Sequence, residues 1–281
     1  MKIGKYTIKI VHSGYFSLDG GAMFGIIPKT LWAKTNPPDD LNRIPLATRN
    51  LLLETENKKI LIDTGMGNKW DEKSKKIFSI DQKENSINSS LSQLGMAPTD
   101  ITDVILTHLH FDHTGGSTVE ENGKLIPAFP NAKHYVQKKN FEWAMNPSDR
   151  DKGSYLRENF EPLADNGILF FIEGEKKFDE NIEFILVNGH TFSQQLIKIS
   201  DSSSTFLYCC DLFPTTSHIP LPYIMGYDLQ PLVTLEEKKK ILKKAFEEEW
   251  KLFFEHDPRT VYATVKHTDK GFRIDQKFES L

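Results

Sequence analysis

Thr107-His108-Leu109-His110-Phe111-Asp112-His113-Thr114-Gly115-Gly116 gathers three of the chain's nine histidines and a carboxylate within a few positions. The apolar run Asp103–Thr107 (DVILT) precedes it and reads as a short buried strand, so the cluster begins where a strand ends and the chain turns. His108 and His110, two apart in an extended segment, point the same way. Asp112 and His113 follow on the curl and face a second point in space, and Gly115-Gly116 permits a tight return. Histidine with aspartate is the ligand chemistry of zinc and related ions. The arrangement suits two metal ions better than one.

Working outward, the composition excludes several classes of function. Against 35 Lys plus Arg stand 39 Asp plus Glu in 281 residues, a formal net charge of −4 with both signs interspersed. A nucleic-acid surface needs clustered positive charge to displace counterions, so no nucleic-acid partner is expected. No run approaches the roughly 18 apolar residues of a membrane span, and no membrane partner is expected either. The start, MKIGKYTIKI, alternates lysine with β-branched residues and reads as a strand rather than an export signal, which points to the cytoplasm. Cys209 and Cys210 are the only cysteines, and adjacent residues make poor disulfide partners. On an alternating strand Thr205–Cys210, one of them faces the core and the other the opposite sheet face.

The elements alternate in kind. Strands are expected at Tyr6–Val11, at the hairpin Asn50–Thr55 with Lys59–Asp63, and at Asp103–Thr107, Lys133–Gln137, Ile168–Ile172, Ile182–Val187, Gln195–Ser200 and Thr205–Cys210. Ile87, Leu91 and Leu94 at helical spacing, with Gly95 and Pro98 behind them, predict a helix that stops at the glycine. Asn140–Leu163 reads as broken helix, and a second amphipathic helix starts near Thr234, with Glu236–Lys244 as its solvated face. Short strands at Leu252–Glu255, Val261–Val265 and Phe272–Ile274 close the chain. Gly20, Gly21, Gly25, Pro28, Pro37 and Pro38 make Asp19–Asn42 a long loop, with apolar residues suited to a pocket or a partner subunit. With no repeat and no linker, residues 1–281 are expected to form one α/β domain.

The cluster His108, His110, Asp112 and His113 resembles the HxHxDH signature of the metallo-β-lactamase superfamily, and the resemblance extends over nearly the whole chain. It implies a four-layer αββα sandwich holding two divalent ions, most simply Zn2+. Asp63-Thr64-Gly65 then matches the family's turn that supports the metal loop. Gly189-His190-Thr191 resembles its glycine-histidine-threonine segment, and Asp211 stands where the bridging aspartate does. His218, His256 and His267 all lie downstream, and Phe253-Phe254-Glu255-His256-Asp257 resembles the strand-end segment that makes His256 the last ligand. The implied set is His108, His110 and His190 on one ion and Asp112, His113 and His256 on the other. Asp211 is shared, and Asp112 and Asp211 are the residues implied in catalysis. His12, His134, His218 and His267 are expected to be structural or exposed, and any one of them could line the pocket.

Asp19–Lys29 is similar to the N-terminal segment of the branch that holds N-acyl homoserine lactonases and methyl parathion hydrolases, and most of the chain resembles the YtnP-type lactonases. The resemblance implies a lactonase that opens N-acyl homoserine lactones or related lactones by attack of a metal-bridging hydroxide. The alternative is an organophosphate-triester or aryl-ester hydrolase on the same metals. The partner is then a small-molecule lactone or ester. The branch also implies a homodimer, with residues 19–45 near the active site or the dimer contact. Met23, Phe24, Trp32, Phe192 and Phe213 would form an apolar pocket wall. One position departs from the branch, since Pro214 stands where many of these lactonases carry a carbonyl-orienting tyrosine. Tyr223 and Tyr227 are the tyrosines of the same loop. A redox role lacks the electron-carrier domain that such relatives need.

Overall fold

The computed structural model describes residues 1–281, and the chain forms two compact units: Met1–Tyr15 with Thr48–Gly174, and Phe16–Ala47 with Glu175–Leu281. A seven-stranded sheet takes the strands in the order Lys2–Ile3, Tyr6–Asp19, Arg43–Glu54, Lys59–Ile62, Asp103–Ile105, Lys133–Gln137, Leu169–Ile172. The first members pair antiparallel, whereas the last four run parallel. Parallel neighbours need long crossovers, and the helices Ile87–Gln93 and Lys138–Met145 lie in those crossovers. Leu52, Leu61, Val104, Leu106, Val136 and Phe160 are buried together in the core of the first unit.

The helix Ile87–Gln93 shows how local sequence sets its ends. Ser86 and Ser89 form a capping box at its start. At its end Gly95 takes φ of 73°, and Met96 N–H donates to the Leu91 carbonyl at 2.9 Å, the wrap that the glycine at this position predicts.

In the second unit a six-stranded sheet runs Ile182–Val187, Gln194–Ser200, Thr205–Tyr208, Lys251–Phe253, Tyr262–Thr268, Gly271–Phe278. Its one parallel pair, Thr205–Tyr208 with Lys251–Phe253, is spanned by the helix Pro231–Glu247. Asp201 closes the hairpin before it by accepting N–H bonds from Ser203 at 2.8 Å and Ser204 at 3.0 Å.

Several expectations need correction. Asp19–Asn42 is not an irregular loop throughout: the strand Tyr6–Asp19 continues into it, and helices Gly20–Phe24 and Lys29–Trp32 follow. Asp19 caps the first of these by accepting from Ala22 N–H at 2.8 Å, and the glycines fall inside structure. Met23, Phe24 and Trp32 are buried in the second unit rather than standing free as a wall. Phe24 stacks on Trp32 at 5.3 Å and on His218 at 4.7 Å, which uses up its ring faces. Phe213 is also fully buried, with the Lys238 ammonium 5.7 Å from its ring. The helix Glu72–Phe78 went unread because it buries no residue and so has no apolar stripe.

The alternation argument for the cysteines fails as well. The strand ends at Tyr208, so Cys209 and Cys210 lie beyond it and both are fully buried. Cys210 takes φ of 48° and opens a one-turn helix, with its sulfur 2.8 Å from the Gln194 amide nitrogen.

The solvated face assigned to Glu236–Lys244 hides an exception in Lys238, which is fully buried. Its ammonium donates to the carbonyls of His218 at 2.6 Å, Pro220 at 3.0 Å and Tyr223 at 2.7 Å, so all three of its protons have acceptors. Burial pushes the group down to about 7, and Asp228 pulls it the other way. Within the segment the Pro220 carbonyl also accepts from Tyr223 N–H at 3.0 Å, and the lysine ties that turn to the carbonyls of His218 and Tyr223. Lys238→Met should therefore cost about 2–4 kcal/mol of unfolding free energy by stranding buried acceptors. Lys239→Met, which removes only an exposed pair with Glu236, should change stability by less than about 0.5 kcal/mol in the same urea titration.

Candidate metal centre

The histidine cluster is held from the strand that precedes it in the sheet. Asp63 ends the strand Lys59–Ile62 with φ of 56°, and its carboxylate is fully buried. It accepts from Thr107 N–H at 2.7 Å and from the Thr107 hydroxyl at 2.7 Å. The His113 Nδ1 lies 3.0 Å from the same carboxylate and donates to it. The Thr107 hydroxyl, having given its proton to Asp63, is left to accept from His108 Nδ1 at 3.2 Å. Both rings therefore carry the proton on Nδ1 and present the lone pair of Nε2, the arrangement that outer partners impose on metal-bound histidines.

The His108 ring lies 4.4 Å from His110 and 4.0 Å from His113, centroid to centroid. Tyr155 backs His110 at 4.7 Å, and Asp112 Oδ1 stands 3.9 Å from His113 Nε2. All four motif side chains are buried, and each belongs to a His/Asp grouping able to hold a metal ion. Leu109 N–H donates to the Asn140 side chain at 3.0 Å, a support that nothing in the local sequence announces.

The glycines after the motif serve a different purpose from the one expected. Gly115 has an ordinary φ of −56°, so the pair does not supply backbone freedom. Its missing Cβ makes room, because a carbon there would stand 2.0 Å from the Met66 carbonyl oxygen, and one on Gly116 would stand 2.2 Å from that of Thr64. The Asp63-Thr64-Gly65 turn presses against the motif backbone through Thr64 N–H, which donates to the His113 carbonyl at 2.7 Å.

The second unit carries a matching set of donors. His190 follows the strand Ile182–Val187, and its Nδ1 donates to Asp228 Oδ1 at 2.9 Å. Asp228 is steadied in turn by the Thr234 hydroxyl at 2.9 Å. His190 Nε2 stands 3.0 Å from Asp211 Oδ2, and His256 Nε2 stands 3.3 Å from Asp211 Oδ1. His256 Nδ1 donates to the Ala47 carbonyl at 2.8 Å. Burial works against charge on His190, but Asp211 and then Asp228 outweigh it and push the imidazole up to about 10. The two carboxylates flanking His190 favour positive charge there.

The donors fit a metal. Two ligands bound tetrahedrally at about 2.0–2.2 Å stand roughly 3.3–3.5 Å apart, close to the separations of Asp211 from the two imidazoles. Asp211 offers a different oxygen to each ring.

The remaining histidines are placed otherwise. His218 is buried with both ring nitrogens engaged, by the Thr215 hydroxyl at 2.8 Å and the Met23 carbonyl at 2.8 Å, and burial pushes it down to about 4. His134 is buried in the first unit near Phe129 and is likewise pushed down to about 4 by burial. His12 is lowered by burial and then by Arg49, and His267 packs on Phe272 at the exposed end of the last hairpin.

The loop before His190 depends on residues the sequence reading passed over. The Glu237 carboxylate accepts from Asn188 N–H at 2.6 Å and Gly189 N–H at 3.0 Å. Gln230 and Leu229 donate backbone N–H to the carbonyls of Gly189 at 2.8 Å and His190 at 3.1 Å. Pro214, at the position expected to carry a tyrosine, is buried and accepts from His256 N–H at 3.2 Å. Tyr223 packs edge-on against Phe24 at 6.1 Å, and Tyr227 is exposed.

Comparison with known proteins gives a consistent picture. Residues 44–256 match the metallo-beta-lactamase superfamily. The N-acyl homoserine lactonase AiiA of Bacillus thuringiensis subsp. kurstaki is 29% identical over 219 residues, covering 73% of this chain and 79% of its own. A probable metal-dependent hydrolase from Staphylococcus aureus superposes with a TM-score of 0.90 at 31% identity, covering 99% of this chain and 98% of its own. AidC, a dizinc quorum-quenching lactonase in complex with a product N-hexanoyl-L-homoserine, superposes with a TM-score of 0.81 at 25% identity over 99% of this chain and 96% of its own.

Glu237→Ala should weaken metal affinity by about 10–100-fold through the freed Asn188–Gly189 backbone, the usual effect of losing an outer partner. Glu236→Ala, one residue away and exposed, should leave it unchanged; competition with a chromogenic chelator measures both.

Proposed function

The chain belongs to the metallo-β-lactamase superfamily, and from that premise we propose that it is a dinuclear lactonase opening N-acyl homoserine lactones or related lactones. That it is a metal-dependent hydrolase follows from the family and its lactonase relatives. The observation that carries the dinuclear reading is Asp211, whose two oxygens face two different imidazoles. In this reading His108, His110 and His190 hold one ion, Asp112, His113 and His256 hold the other, and Asp211 is shared. The donor set of imidazoles and carboxylates is one that zinc favours. Two such cations, when bound, supply Lewis acidity and bring a water's pKa near neutrality.

The chain's own residues do the rest. Asp63 and Asp228 fix the imidazole tautomers, so no ring has to reorient during turnover. Asp112 would help to hold the metal and, with a carboxylate oxygen left free, could carry a proton to the leaving alkoxide. Apolar surface for an acyl chain is offered in the first unit by Trp70, Phe78 and Phe111, half-exposed rings whose centroids are 5.3–5.6 Å apart. Phe111 lies inside the motif, next to Asp112. This cluster takes the role first expected of Met23, Phe24 and Trp32, and lactonase relatives supply the substrate class.

Zinc-loaded protein should open a medium-chain N-acyl homoserine lactone with kcat/KM above about 10⁴ M⁻¹s⁻¹ and turn over a nitrophenyl phosphotriester far more slowly. The reverse ranking would replace the lactonase reading with the triesterase one. Asp211→Asn should lower the bound metal and reduce kcat/KM by at least about 10³-fold, the scale on which a main electrostatic contributor is lost. The exposed substitution His267→Ala should change neither metal content, read by elemental analysis, nor rate.

A further inference from the structure

The second unit contains a cavity of about 740 Å³ lined wholly by its own residues, within the roughly 300–1,000 Å³ range of small-molecule sites. Its wall includes Asp257, whose carboxylate is saturated. Oδ2 accepts from Thr216 N–H at 3.0 Å and the Thr216 hydroxyl at 2.7 Å, and Oδ1 from the N–H groups of Arg259 at 3.0 Å and Thr260 at 2.8 Å. Four donors hold that charge in place, so the wall is rigid and Asp257 has little capacity left for a ligand.

Three cations line the same cavity: Arg259, Arg273 and Lys277. Arg273 donates to the Phe272 carbonyl at 2.6 Å and Lys277 to the Thr216 hydroxyl at 3.3 Å, and no carboxylate pairs with any of the three. Against Asp257 and Glu279, the two acids of the lining, they leave one excess positive charge, which suits a monoanion. Unpaired guanidinium groups favour a planar carboxylate, which they bind through parallel hydrogen bonds.

Two further features narrow the ligand. Leu31, Tyr223 and Ile274 give the cavity an apolar side. Asn36, only 8% exposed, lines it as well, and its side-chain carbonyl has no hydrogen-bond partner. A buried amide oxygen without a partner is destabilising, and a ligand N–H would satisfy it.

We propose that this cavity is a second small-molecule site that binds an N-acyl amino acid. The carboxylate lies among Arg259, Arg273 and Lys277, the amide N–H donates to Asn36, and the acyl chain rests on Leu31 and Ile274. The proposal does not depend on the lactonase reading. Were both right, the ring-opened product of that reaction would belong to the class this cavity accepts.

Calorimetric titration of chelator-stripped protein with N-octanoylglycine tests the site without the metal centre. The expected result is saturable binding of one equivalent. It should weaken at least 10-fold for the uncharged methyl ester and at least 10-fold in Arg259→Glu and Lys277→Glu, two exposed positions where the fold tolerates exchange. Octanoate, which lacks the N–H, should bind more weakly than N-octanoylglycine, and Asn36→Leu should remove that difference. No binding, equal binding of the ester, or indifference to both charge reversals would overturn the proposal. So would sedimentation showing a stable dimer whose assembly abolishes binding, since a second copy would then occupy the cavity. Lactone turnover by zinc-loaded protein is read separately, so either reading can fail alone.

Discussion

The Asp63 carboxylate is the constraint on which the metal-binding loop depends. A buried carboxylate without partners costs several kcal/mol, and Asp63 meets the cost with three donors from Thr107 and His113. Each hydrogen bond to a charged group contributes about 1.5–3 kcal/mol. Together they outweigh the 1–3 kcal/mol or so of a strained backbone at the positive φ of Asp63. The positive φ turns the carboxylate back toward the neighbouring strand's end, which is where the motif begins. One residue thus ends a strand, fixes the start of the next loop and sets the tautomer of His113. The close approach at Gly115 and Gly116 follows from the same turn, since the chain must lie flat against Thr64 and Met66 for His113 to reach Asp63.

In the second unit one helix plays the equivalent part. Thr234, Glu237 and Lys238 lie within five residues on Pro231–Glu247, and each reaches a different segment: Asp228, the Asn188–Gly189 backbone and the carbonyls of residues 218–223. Positions three and four apart share a helix face, so this face is polar and turned inward. Ile241, Leu242 and Ala245 continue it with apolar packing. A helix normally stabilises by its apolar stripe. Here its first turns hold a loop and a ligand support by hydrogen bonds, and its later turns supply the hydrophobic contact.

These roles explain what the sequence could disclose. His108, His110, Asp112 and His113 are legible because all of them fall within one short segment, where the spacing itself is informative. The order of strands and the stop of the helix at Gly95 are legible for the same reason, being set by near neighbours. Asp228 and Glu237 are not, because each acts on a residue 38 or more positions away and sits among ordinary polar neighbours. Lys238 is hidden more deeply, since its neighbours Lys239 and Lys240 are surface lysines and nothing local marks it as buried. The helices of Gly20–Phe24 and Lys29–Trp32 were concealed by glycine and proline, residues that punctuate loops but also start and end short helices. Pro214 had a reading available only from the branch, and the physical one, a carbonyl that accepts from His256 N–H, needed coordinates.

A histidine whose Nδ1 donates to a carboxylate is ambiguous by itself, because a proton-relay triad has the same feature. The second unit resolves the ambiguity through what faces the other nitrogen. In a relay, Nε2 points at a hydroxyl or thiol that it deprotonates. His190 Nε2 and His256 Nε2 instead point at opposite oxygens of one carboxylate, Asp211. No nucleophile stands between them, and an aspartate gains nothing from a neighbouring base. What the arrangement favours is positive charge beside Asp211, whose carboxylate pushes the His190 imidazole up. A metal ion in place of the proton on its Nε2 would leave the Nδ1 hydrogen bond of His190 to Asp228 intact. The same side chains would be frustrated in acid–base catalysis and are complete as a metal cradle.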